Sequence, residues 1–588
     1  MYTYIRSSIA KGLLFSGLLQ SCQSSPVGIF NKRSLPAGAH GLRSASCHRP
    51  SQYASNCAHG ITTYRAVSIN PCLPRGIQRL VKKANTTYNV SCCCETPKQP
   101  IKVHVGTDRF DKLVLESDVF VDKSMFIKEF LESGDEVSLI TRPRRWCKSL
   151  NMDMLRCFLT IEVDDQGNPM PPEQTRNHKL FAGGVVTLGA KTGKVKQLAP
   201  LKIAQQCPDL INDYQGQYPV ISMGFKDVTG NSYREIEAKV KKQITKLYTK
   251  HTYLEQYMQA GSTLLAEVQK EQLSHYYTGN MSQADVEDSL LFLSELLHMH
   301  YGRNVYILID EYDMPISSTY LACLDKPAEN EKISALLNGL LGSALKSNPY
   351  LQQGLVTGVL QIAKSGPFSG LNNIRSYTLL HKGFADSYGF TEPEVSELLN
   401  KTRITTPLKK IQSWYNGYTF GGQSLYNPWS VMSCIRNEGA LEYYWMELGG
   451  PKIFDAMMVS DEVQEDLQAL LKGAKLSPQI IKHLSFDNMR GSGNAGLYSL
   501  LLFHGYLAPS DIEADTCKLS IPNQEMKHIY GQWLIKWVSN QMGITPSEFK
   551  ALADMLVTGQ VENFTESLQE RLHASNSPFL TDKSEDKS

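Results

Sequence analysis

The amino-acid sequence predicts an α/β fold, in which a parallel sheet is flanked by helices and is followed by a mainly helical C-terminal region. The first observation is the run 304–311, which is apolar until it ends in two adjacent acids. A run that is apolar on both faces is typical of a central parallel strand covered by helices on both sides. The second observation is the β-prone run 136–141, which a short basic loop joins to a helical pattern starting at Lys148.

Five helical patterns predict that the region after the sheet is mainly helical. They cover residues 392–400, 429–437, 461–472, 496–504 and 526–542. We therefore divide this part of the chain into an α/β core at 105–390 and a helical domain at 391–545. The last segment, 546–588, is expected to hold a short helix and a polar, disordered tail.

Composition and charge limit the classes of function. The chain has 588 residues, enough for two or three domains of ordinary size. Its 60 Lys and Arg residues nearly balance its 58 Asp and Glu residues. There is thus no global basic field that would attract nucleic acid, and a nucleic-acid partner is not expected.

Residues 1–22 have the pattern of a targeting segment. Arg6 and Lys11 supply positive charge, and the apolar stretch 12–19 that follows is too short to span a bilayer. The segment ends in Leu-Gln-Ser-Cys, which resembles the bacterial lipoprotein box, where the cysteine is acylated. We therefore expect a signal peptide, palmitate on Cys22 and a membrane-anchored, bacterial lipoprotein, with surface exposure left open. The alternative is a chance apolar start on a cytoplasmic protein.

Residues 23–104 are expected to be a disordered tether. They are rich in Ser, Pro, Gly and Asn and show little periodicity. Seven of the 13 cysteines fall within the first hundred residues, and their spacing matches no strong zinc signature. We expect these thiols to be free, although pairing in an oxidising compartment stays an alternative.

The loop after the run 136–141 has the pattern of a phosphate-binding loop. Strand, loop, Lys-Ser and helix follow one another, which is the architecture of a P-loop. Backbone N–H groups at the helix start and the helix dipole favour anionic oxygens, Lys148 reaches phosphate, and the Ser149 hydroxyl ligates Mg²⁺. The residues expected to bind nucleotide are Arg142, Arg144, Arg145, Trp146, Cys147, Lys148 and Ser149. For the three arginines, pairing with acidic side chains is the alternative.

The run 304–311 predicts the acids that complete such a site. The carboxyl end of a central parallel strand is where α/β sheets bind ligand. There Asp310 would hold Mg²⁺, and Glu311 would orient the attacking water as general base. Thr357 follows another likely strand, at 354–356, and would sense the γ-phosphate or simply make a strand-end hydrogen bond.

Two residues depart from the usual glycines of a P-loop. Arg142 stands at the first glycine position and Cys147 at the second. Glycine at the second position lets the backbone approach phosphate closely. The Cβ and sulfur of Cys147 would crowd the pyrophosphate or require an unfavourable backbone angle, so nucleotide binding would be weakened or lost.

Aromatic residues cluster between positions 414 and 429. The cluster contains Trp414, Tyr415, Tyr418, Tyr426 and Trp429. Packing between two domains is the interpretation we favour, and a stacking platform for a base is the alternative. The pair Asn416-Gly417 within the cluster is a hairpin or turn signal.

Taken together, the motifs resemble those of the bacterial AAA-ATPase-like family. The resemblance covers about 110–538, and the matching motifs follow in the family's order: FVDKS at 120–124, TRPRRWCKS at 141–149, IDEYDMP at 309–315, FSGLNN at 368–373, WYNGY at 414–418, YNPWS at 426–430, HGYL at 504–507 and IPN at 521–523. The missing first glycine is a family trait, whereas Cys147 is a departure of this chain.

The resemblance implies a function and leaves one rival open. It implies ATP and Mg²⁺ as ligands, with hydrolysis by in-line attack of water and with Lys148 and Glu311 as catalytic residues. A C-terminal restriction-endonuclease-like domain, frequent in the family, is not expected here. The rival is a pseudo-ATPase that serves as a membrane-anchored binding or scaffold protein. The sequence identifies no protein partner and leaves the oligomeric state open, a homo-oligomer included.

Overall fold

The computed structural model describes most of the chain after residue 100. The described residues are 101–164, 166–188, 193–259, 262–322, 327–361, 372–445, 461–482, 494–513 and 516–580. The predicted signal segment with Cys22, the tether up to residue 100, and Phe368 to Leu371 of the FSGLNN motif lie outside them. No helix in the described part is long and apolar enough to cross a membrane.

The strands form one parallel sheet and three small hairpins. They are β1 Val137–Thr141, β2 Gly184–Leu188, β3 Lys194–Leu198, β4 Val220–Gly224, β5 Val305–Asp310, β6 Leu351–Gly358, β7 Ile374–Tyr377, β8 Tyr418–Phe420, β9 Gln423–Leu425, β10 Ala508–Glu513 and β11 Thr516–Ser520. The five-stranded sheet has the order β4-β5-β6-β1-β7, and every neighbouring pair is parallel. This confirms the predicted α/β core.

Helices cover the sheet and build most of the remainder. They are α1 Phe110–Glu116, α2 Met125–Leu131, α3 Lys148–Leu159, α4 Arg176–Ala182, α5 Lys202–Gln206, α6 Pro208–Tyr214, α7 Tyr233–Tyr248, α8 Glu267–Thr278, α9 Gln283–Tyr301, α10 Met314–Ala322, α11 Pro327–Leu345, α12 Glu392–Thr402, α13 Leu408–Tyr415, α14 Pro428–Arg436, α15 Asp461–Leu471, α16 Asn494–Phe503, α17 Gln524–Gln541, α18 Pro546–Val557 and α19 Val561–Leu580.

The apolar strands are buried on both faces of the sheet. In β5, Ile307 and Ile309 belong to one hydrophobic cluster, while Tyr306 and Leu308 belong to another on the opposite face. Side chains alternate across a strand, so each face needs its own cover. Helices α9 and α11 contribute to the first cluster, and α1, α2 and α3 contribute to the second. The sheet is therefore a layer between two layers of helices.

The region after the sheet is mainly helical, as predicted. Each of the five predicted helical patterns coincides with a helix, namely α12, α14, α15, α16 and α17. Helix α13 and the hairpin β10–β11 were not predicted from the sequence. The end of the chain also differs from the expectation, because two helices, α18 and α19, occupy 546–580 where one short helix was expected.

The turn signal at Asn416-Gly417 was assigned the wrong structural role. The turn of the β8–β9 hairpin lies at Gly421 and Gly422, and Asn416-Gly417 precedes the first strand. Gly417 has φ 92°, and a Cβ there would lie 2.1 Å from the carbonyl oxygen of Pro522. Glycine is needed at this position for close approach to the IPN motif. The side-chain amide of Asn523, in that motif, donates to the carbonyl oxygen of Asn416 at 2.8 Å.

Helix α17 begins at a buried carboxyl group. Glu525, in its first turn, is fully buried. One of its oxygens accepts a hydrogen bond from the backbone N–H of Trp445 at 2.7 Å, and the other accepts from the Ser430 hydroxyl at 2.8 Å. Burial raises the pKa of this carboxyl group to about 7.

This raised pKa predicts a pH-dependent stability. Between pH 4.5 and about 7 the folded chain holds a proton on Glu525 that the unfolded chain has released. The contribution of Glu525 to stability therefore falls as pH rises through this window. Glu525→Gln carries no such proton, so the free energy of unfolding of the variant should rise relative to wild type from pH 4.5 to 7. Urea unfolding at several pH values measures this difference.

The neighbouring position provides the control. Gln524 is exposed and does not titrate, so the difference between Gln524→Ala and wild type should stay constant over the same pH range. A constant difference for Glu525→Gln would contradict the prediction.

Candidate nucleotide-binding site

The predicted phosphate loop lies at the carboxyl end of β1, between the strand and the first turn of α3. Strand β1 pairs with β6 on one side and β7 on the other, so the loop emerges from the interior of the sheet. The Arg142 N–H donates to the carbonyl oxygen of Gly358 at 3.1 Å, which joins the ends of β1 and β6. The loop therefore opens at the edge where α/β sheets bind ligands.

The Arg142 side chain supports the loop from the buried interior of the fold. It is fully buried, and its guanidinium donates to the carbonyl oxygens of Thr141 at 2.9 Å, Tyr377 at 2.8 Å, Gly383 at 3.2 Å and Phe384 at 3.1 Å. It does not line the cavity described below. These contacts favour a supporting role for Arg142. Direct binding of phosphate by Arg142 stays a prediction.

Trp146 anchors the other end of the loop. It is fully buried, with its ring 4.8 Å from the Tyr418 ring and 4.5 Å from the Phe420 ring, centre to centre. A Cβ on Gly389 would lie 2.8 Å from the same indole. Like Arg142, Trp146 does not line the cavity. Through it the loop is packed against the β8–β9 hairpin, whose residues lie far along the chain.

Cys147 has the backbone conformation that glycine would favour. With φ 58° and ψ 18°, it is left-handed and directly precedes the first residue of α3. A residue with a Cβ in this conformation costs on the order of 1–2 kcal/mol. Burial raises the pKa of the thiol to about 11. Cys147 lines the cavity. A cysteine in place of glycine therefore also changes the shape of the cavity wall.

Lys148 is buried and faces the acids of β5. Its ammonium donates to the carbonyl oxygens of Arg142 at 3.0 Å and Pro143 at 2.9 Å. Burial lowers the pKa of Lys148, while the negative charges of Glu311 and Asp310 oppose that shift. A positive charge held in this way inside the loop is placed to neutralise an anionic ligand.

Asp310 and Glu311 follow at the end of β5, as predicted from the sequence. The Thr357 hydroxyl, at the end of the neighbouring strand β6, donates to Asp310 Oδ1 at 2.5 Å. Thr357 is fully buried and does not line the cavity. In this structure it orients a carboxylate, which is the strand-end role that the sequence left as one of two.

Glu311 carries a buried carboxylate oxygen. Its backbone is left-handed, with φ 52°. Burial, followed by the charge of Asp310, raises the pKa of its carboxyl group. Within the described residues, Glu311 Oε2 has no hydrogen-bond partner although it is buried. Buried polar atoms in proteins are nearly always satisfied, so this oxygen indicates a place for a water molecule or a ligand.

Asp313 is a site-supporting residue that sequence reasoning did not single out. Its Oδ2 accepts hydrogen bonds from the backbone N–H groups of Val359 and Leu360, both at 3.0 Å. It thereby fixes the chain just after β6, next to Thr357. Its position as the third acid of IDEYDMP was visible in the sequence, but no local pattern shows which backbone groups it holds.

A cavity of about 550 Å³ is lined by Lys148 and Glu311 and by an apolar wall. Such a volume is within the range of small-molecule sites. Its polar and charged lining residues include Lys123, Arg144, Arg145, Lys148, Ser149, Lys226 and Glu311. Its apolar lining residues include Val105, Phe120, Val121, Phe390, Trp429 and Met432. The cavity thus has the two kinds of surface that a nucleotide requires.

The two residues expected to hold magnesium lie on neighbouring elements. Ser149 lines the cavity at the start of α3, whereas Asp310, at the end of β5, does not line it. Over the described ranges, no group of three or more His, Cys, Asp or Glu residues is arranged to hold a metal. Mg²⁺ commonly uses one or two protein ligands together with substrate phosphates and water, so a nucleotide-bound magnesium does not require such a group.

Arg144 and Arg145 differ in their surroundings. Arg144 is exposed at the cavity, and no hydrogen bond or ion pair of its side chain is found within the described part of the chain. The Arg145 guanidinium donates to the carbonyl oxygen of Trp445 at 2.7 Å and lies 4.9 Å from the centre of the Trp429 ring. Of the two, Arg144 is the better placed to reach a phosphate.

Two further motifs are brought to the site by the fold. Lys123 of the FVDKS motif lines the cavity and forms an ion pair with Glu394 at 2.8 Å, with both side chains largely buried. Gly505 of the HGYL motif lies against Pro143 of the loop, where a Cβ would be 3.0 Å from the proline ring.

These features define the class of protein. A parallel sheet between helical layers, with a Lys-Ser helix start beside the acidic end of a neighbouring strand, is a P-loop-like α/β core. The family model described as predicted AAA-ATPase matches residues 104–170 and 193–368. The match indicates that these residues resemble an AAA-ATPase-like family, and it supports an ATPase-like function.

One curated relative extends the comparison beyond the core. A protein of Azotobacter chroococcum mcd 1, described as an uncharacterized protein in the vnfD 5′ region, is 23% identical over 434 residues. The alignment covers 72% of this chain and 68% of that protein. The similarity therefore includes part of the region after the sheet.

The strain at Cys147 leads to a test by substitution. Cys147→Gly should raise the free energy of unfolding by about 1 kcal/mol, because glycine adopts the left-handed conformation without penalty. Removing the Cβ and sulfur should also tighten the binding of nucleotide to the loop. Urea unfolding and calorimetric titration measure the two effects.

A second half-buried cysteine serves as the control. Cys207 also directly precedes a helix but has φ −138°, so Cys207→Gly relieves no strain and should lower stability by about 0.5–1 kcal/mol. Equal destabilisation by both substitutions would show that Cys147 is not strained.

Proposed function

We propose that this chain binds ATP with Mg²⁺ in the cavity beside the phosphate loop and hydrolyses it. The observation that carries the proposal is a buried Glu311 oxygen that has no hydrogen-bond partner among the described residues. Glu311 lines the same cavity as Lys148 and Ser149, which lie at the N-terminus of α3. A helix start with a lysine binds phosphate, and a carboxylate opposite it can orient water.

The proposed chemistry divides among the residues by their positions. Lys148 neutralises phosphate charge, and exposed Arg144 adds a second cation. Glu311 accepts a proton from the attacking water, a task that its raised pKa favours. Thr357 holds the Asp310 carboxylate in a fixed orientation. When bound at Ser149 and Asp310, Mg²⁺ would supply neutralisation of the phosphate oxygens.

The apolar wall suits the base of the nucleotide. Val105, Val121, Phe390, Trp429 and Met432 belong to one hydrophobic cluster, so they form a continuous surface. Planar apolar groups such as a purine stack favourably on aromatic side chains. We place the base on this wall, with Trp429 as the aromatic contact.

One observation favours the rival function of a pseudo-ATPase. The Cys147 side chain occupies the part of the loop where close backbone approach is needed, and its backbone is already left-handed. If the sulfur excludes the pyrophosphate, the same fold would serve as a binding or scaffold protein. The two functions differ in whether the chain binds and turns over nucleotide.

Calorimetric titration of Mg-ATP into the full chain tests the proposed binding site. Wild type should bind, and Lys148→Ala should weaken binding at least about tenfold, because it removes a charge-assisted contact to phosphate. Lys241→Ala is the matched control, since Lys241 lies on α7 in an ion pair with Glu237 and does not line the cavity. Absence of binding by folded wild type would replace this proposal by the pseudo-ATPase.

Turnover separates binding from catalysis in the same proteins. Glu311→Gln should retain Mg-ATP binding and lose most of the phosphate release, since the amide cannot accept the proton. Equal phosphate release by Glu311→Gln and wild type would remove Glu311 as general base.

We further propose that Cys22 carries a lipid anchor in a bacterial membrane. The support is the sequence of residues 1–22 alone. ATP would then have to be present on the side of the membrane that the chain faces. Radiolabelled palmitate should label wild type and membrane fractions should contain it, whereas Cys22→Ala should carry no label. No label on wild type, or equal label on Cys22→Ala, would overturn this proposal.

A further inference from the structure

The phosphate loop is connected to the C-terminal helices through Arg145. The Arg145 backbone is left-handed, with φ 69°, and its side chain leaves the loop toward the region after the sheet. There the guanidinium donates to the Trp445 carbonyl oxygen and covers the Trp429 ring. Arg145 also lines the cavity. One side chain thus touches both the proposed ligand space and the helical region.

Trp445 is held on three sides. Its carbonyl oxygen accepts from Arg145, and its N–H donates to Glu525 Oε1 at 2.7 Å. Its ring stacks on the Tyr506 ring, with centres 5.6 Å apart and planes 11° from parallel. Since both polar groups of its backbone are engaged, Trp445 cannot shift without loosening either the phosphate loop or Glu525.

Glu525 links Trp445 to two helices. It lies in the first turn of α17, and its second oxygen accepts from Ser430 in the first turn of α14. Trp429, the residue under the Arg145 guanidinium, directly precedes Ser430. The contacts therefore run from Arg145 through Trp445 to Glu525. From Glu525 they return through Ser430 and Trp429 of α14 to Arg145. A closed set of buried hydrogen bonds is more rigid than its separate members.

We propose that Arg145 is a positioning residue that couples nucleotide occupancy to the packing of α17 through Trp445 and Glu525. The proposal rests on the proposed function of the site. A guanidinium presents several donors in a fixed fork, so it can contact phosphate while keeping Trp445. A bound nucleotide then immobilises Arg145, and the immobilised Arg145 holds Trp445 and the start of α17. Coupling of this kind is reciprocal, so loosening α17 weakens nucleotide binding.

Hydrogen exchange of the full chain with and without saturating Mg-ATP tests the coupling. In wild type, Mg-ATP should slow amide exchange in the first two turns of α17 by roughly tenfold. In Arg145→Ala this slowing should disappear when enough Mg-ATP is added to fill the site. Arg145→Lys, which keeps the charge but not the fork, should restore only part of the slowing. A slowing in Arg145→Ala equal to that in wild type would overturn the proposal.

A variant at the other end of the connection tests reciprocity. Glu525→Gln keeps the shape of the side chain but has one acceptor oxygen in place of two. It should weaken Mg-ATP binding about fivefold or more, although Glu525 does not line the cavity. Gln524→Ala, one residue earlier and exposed, is the matched control and should bind as wild type does. Unchanged affinity in Glu525→Gln would contradict the coupling.

The same variants separate failure of the coupling from failure of the proposed function. If folded wild type shows no heat with Mg-ATP, the ATP-binding proposal fails. The connection is then measured in the unliganded chain, where Arg145→Ala should accelerate exchange at the start of α17 and Glu525→Gln should accelerate it in the loop 142–147. If neither variant accelerates exchange at the opposite end, the connection is overturned as well.

Discussion

The burial of one positive charge determines the course of the phosphate loop. Arg142 loses its hydration in the core, and burial lowers its pKa to about 10, which still leaves it charged at neutral pH. A buried charge is tolerated only when hydrogen bonds replace water. Four carbonyl oxygens provide them, from β1, from the end of β7 and from the turn after it. Loop, sheet edge and turn are therefore fixed relative to one another before any ligand arrives.

Much of the fold could be predicted because its determinants are local. A buried parallel strand is apolar along its whole length, so the run ending at Asp310 was legible, as were the amphipathic helices after the sheet. The Lys-Ser start of α3 and the acid pair of β5 were placed correctly at the ends of their elements. Because parallel strands bind ligands at their carboxyl ends, the sequence also predicted that the Lys-Ser start and the acid pair lie at the same edge of the sheet.

The rest could not be predicted because it depends on contacts between distant segments. Whether Trp146 faces a ligand or the core is decided by the β8–β9 hairpin against which it packs. The partners of Asp313 are backbone groups, which carry no sequence signal. The Asn416-Gly417 pair has the composition of a turn, yet its glycine serves the approach of Pro522. In each case tertiary packing overrides a local pattern.

Three of the eight non-glycine residues with positive φ in the described part of the chain lie on the two sides of the site. Arg145 and Cys147 in the loop and Glu311 at the end of β5 all have left-handed backbones. Such residues persist only where the surroundings impose them, and they are frequent at binding sites. Cys147 has this conformation although glycine would adopt it at lower cost.

The distance along the chain between the loop and its supports has a consequence for folding. Arg145 and Trp445 are 300 positions apart, and Gly505 and Glu525 come later still. Contacts between such distant segments close long loops and slow folding. During synthesis, the loop leaves the ribosome long before the segments that hold it in place exist. The nascent chain therefore carries an α/β core whose phosphate loop is unsupported until most of the polypeptide has been made.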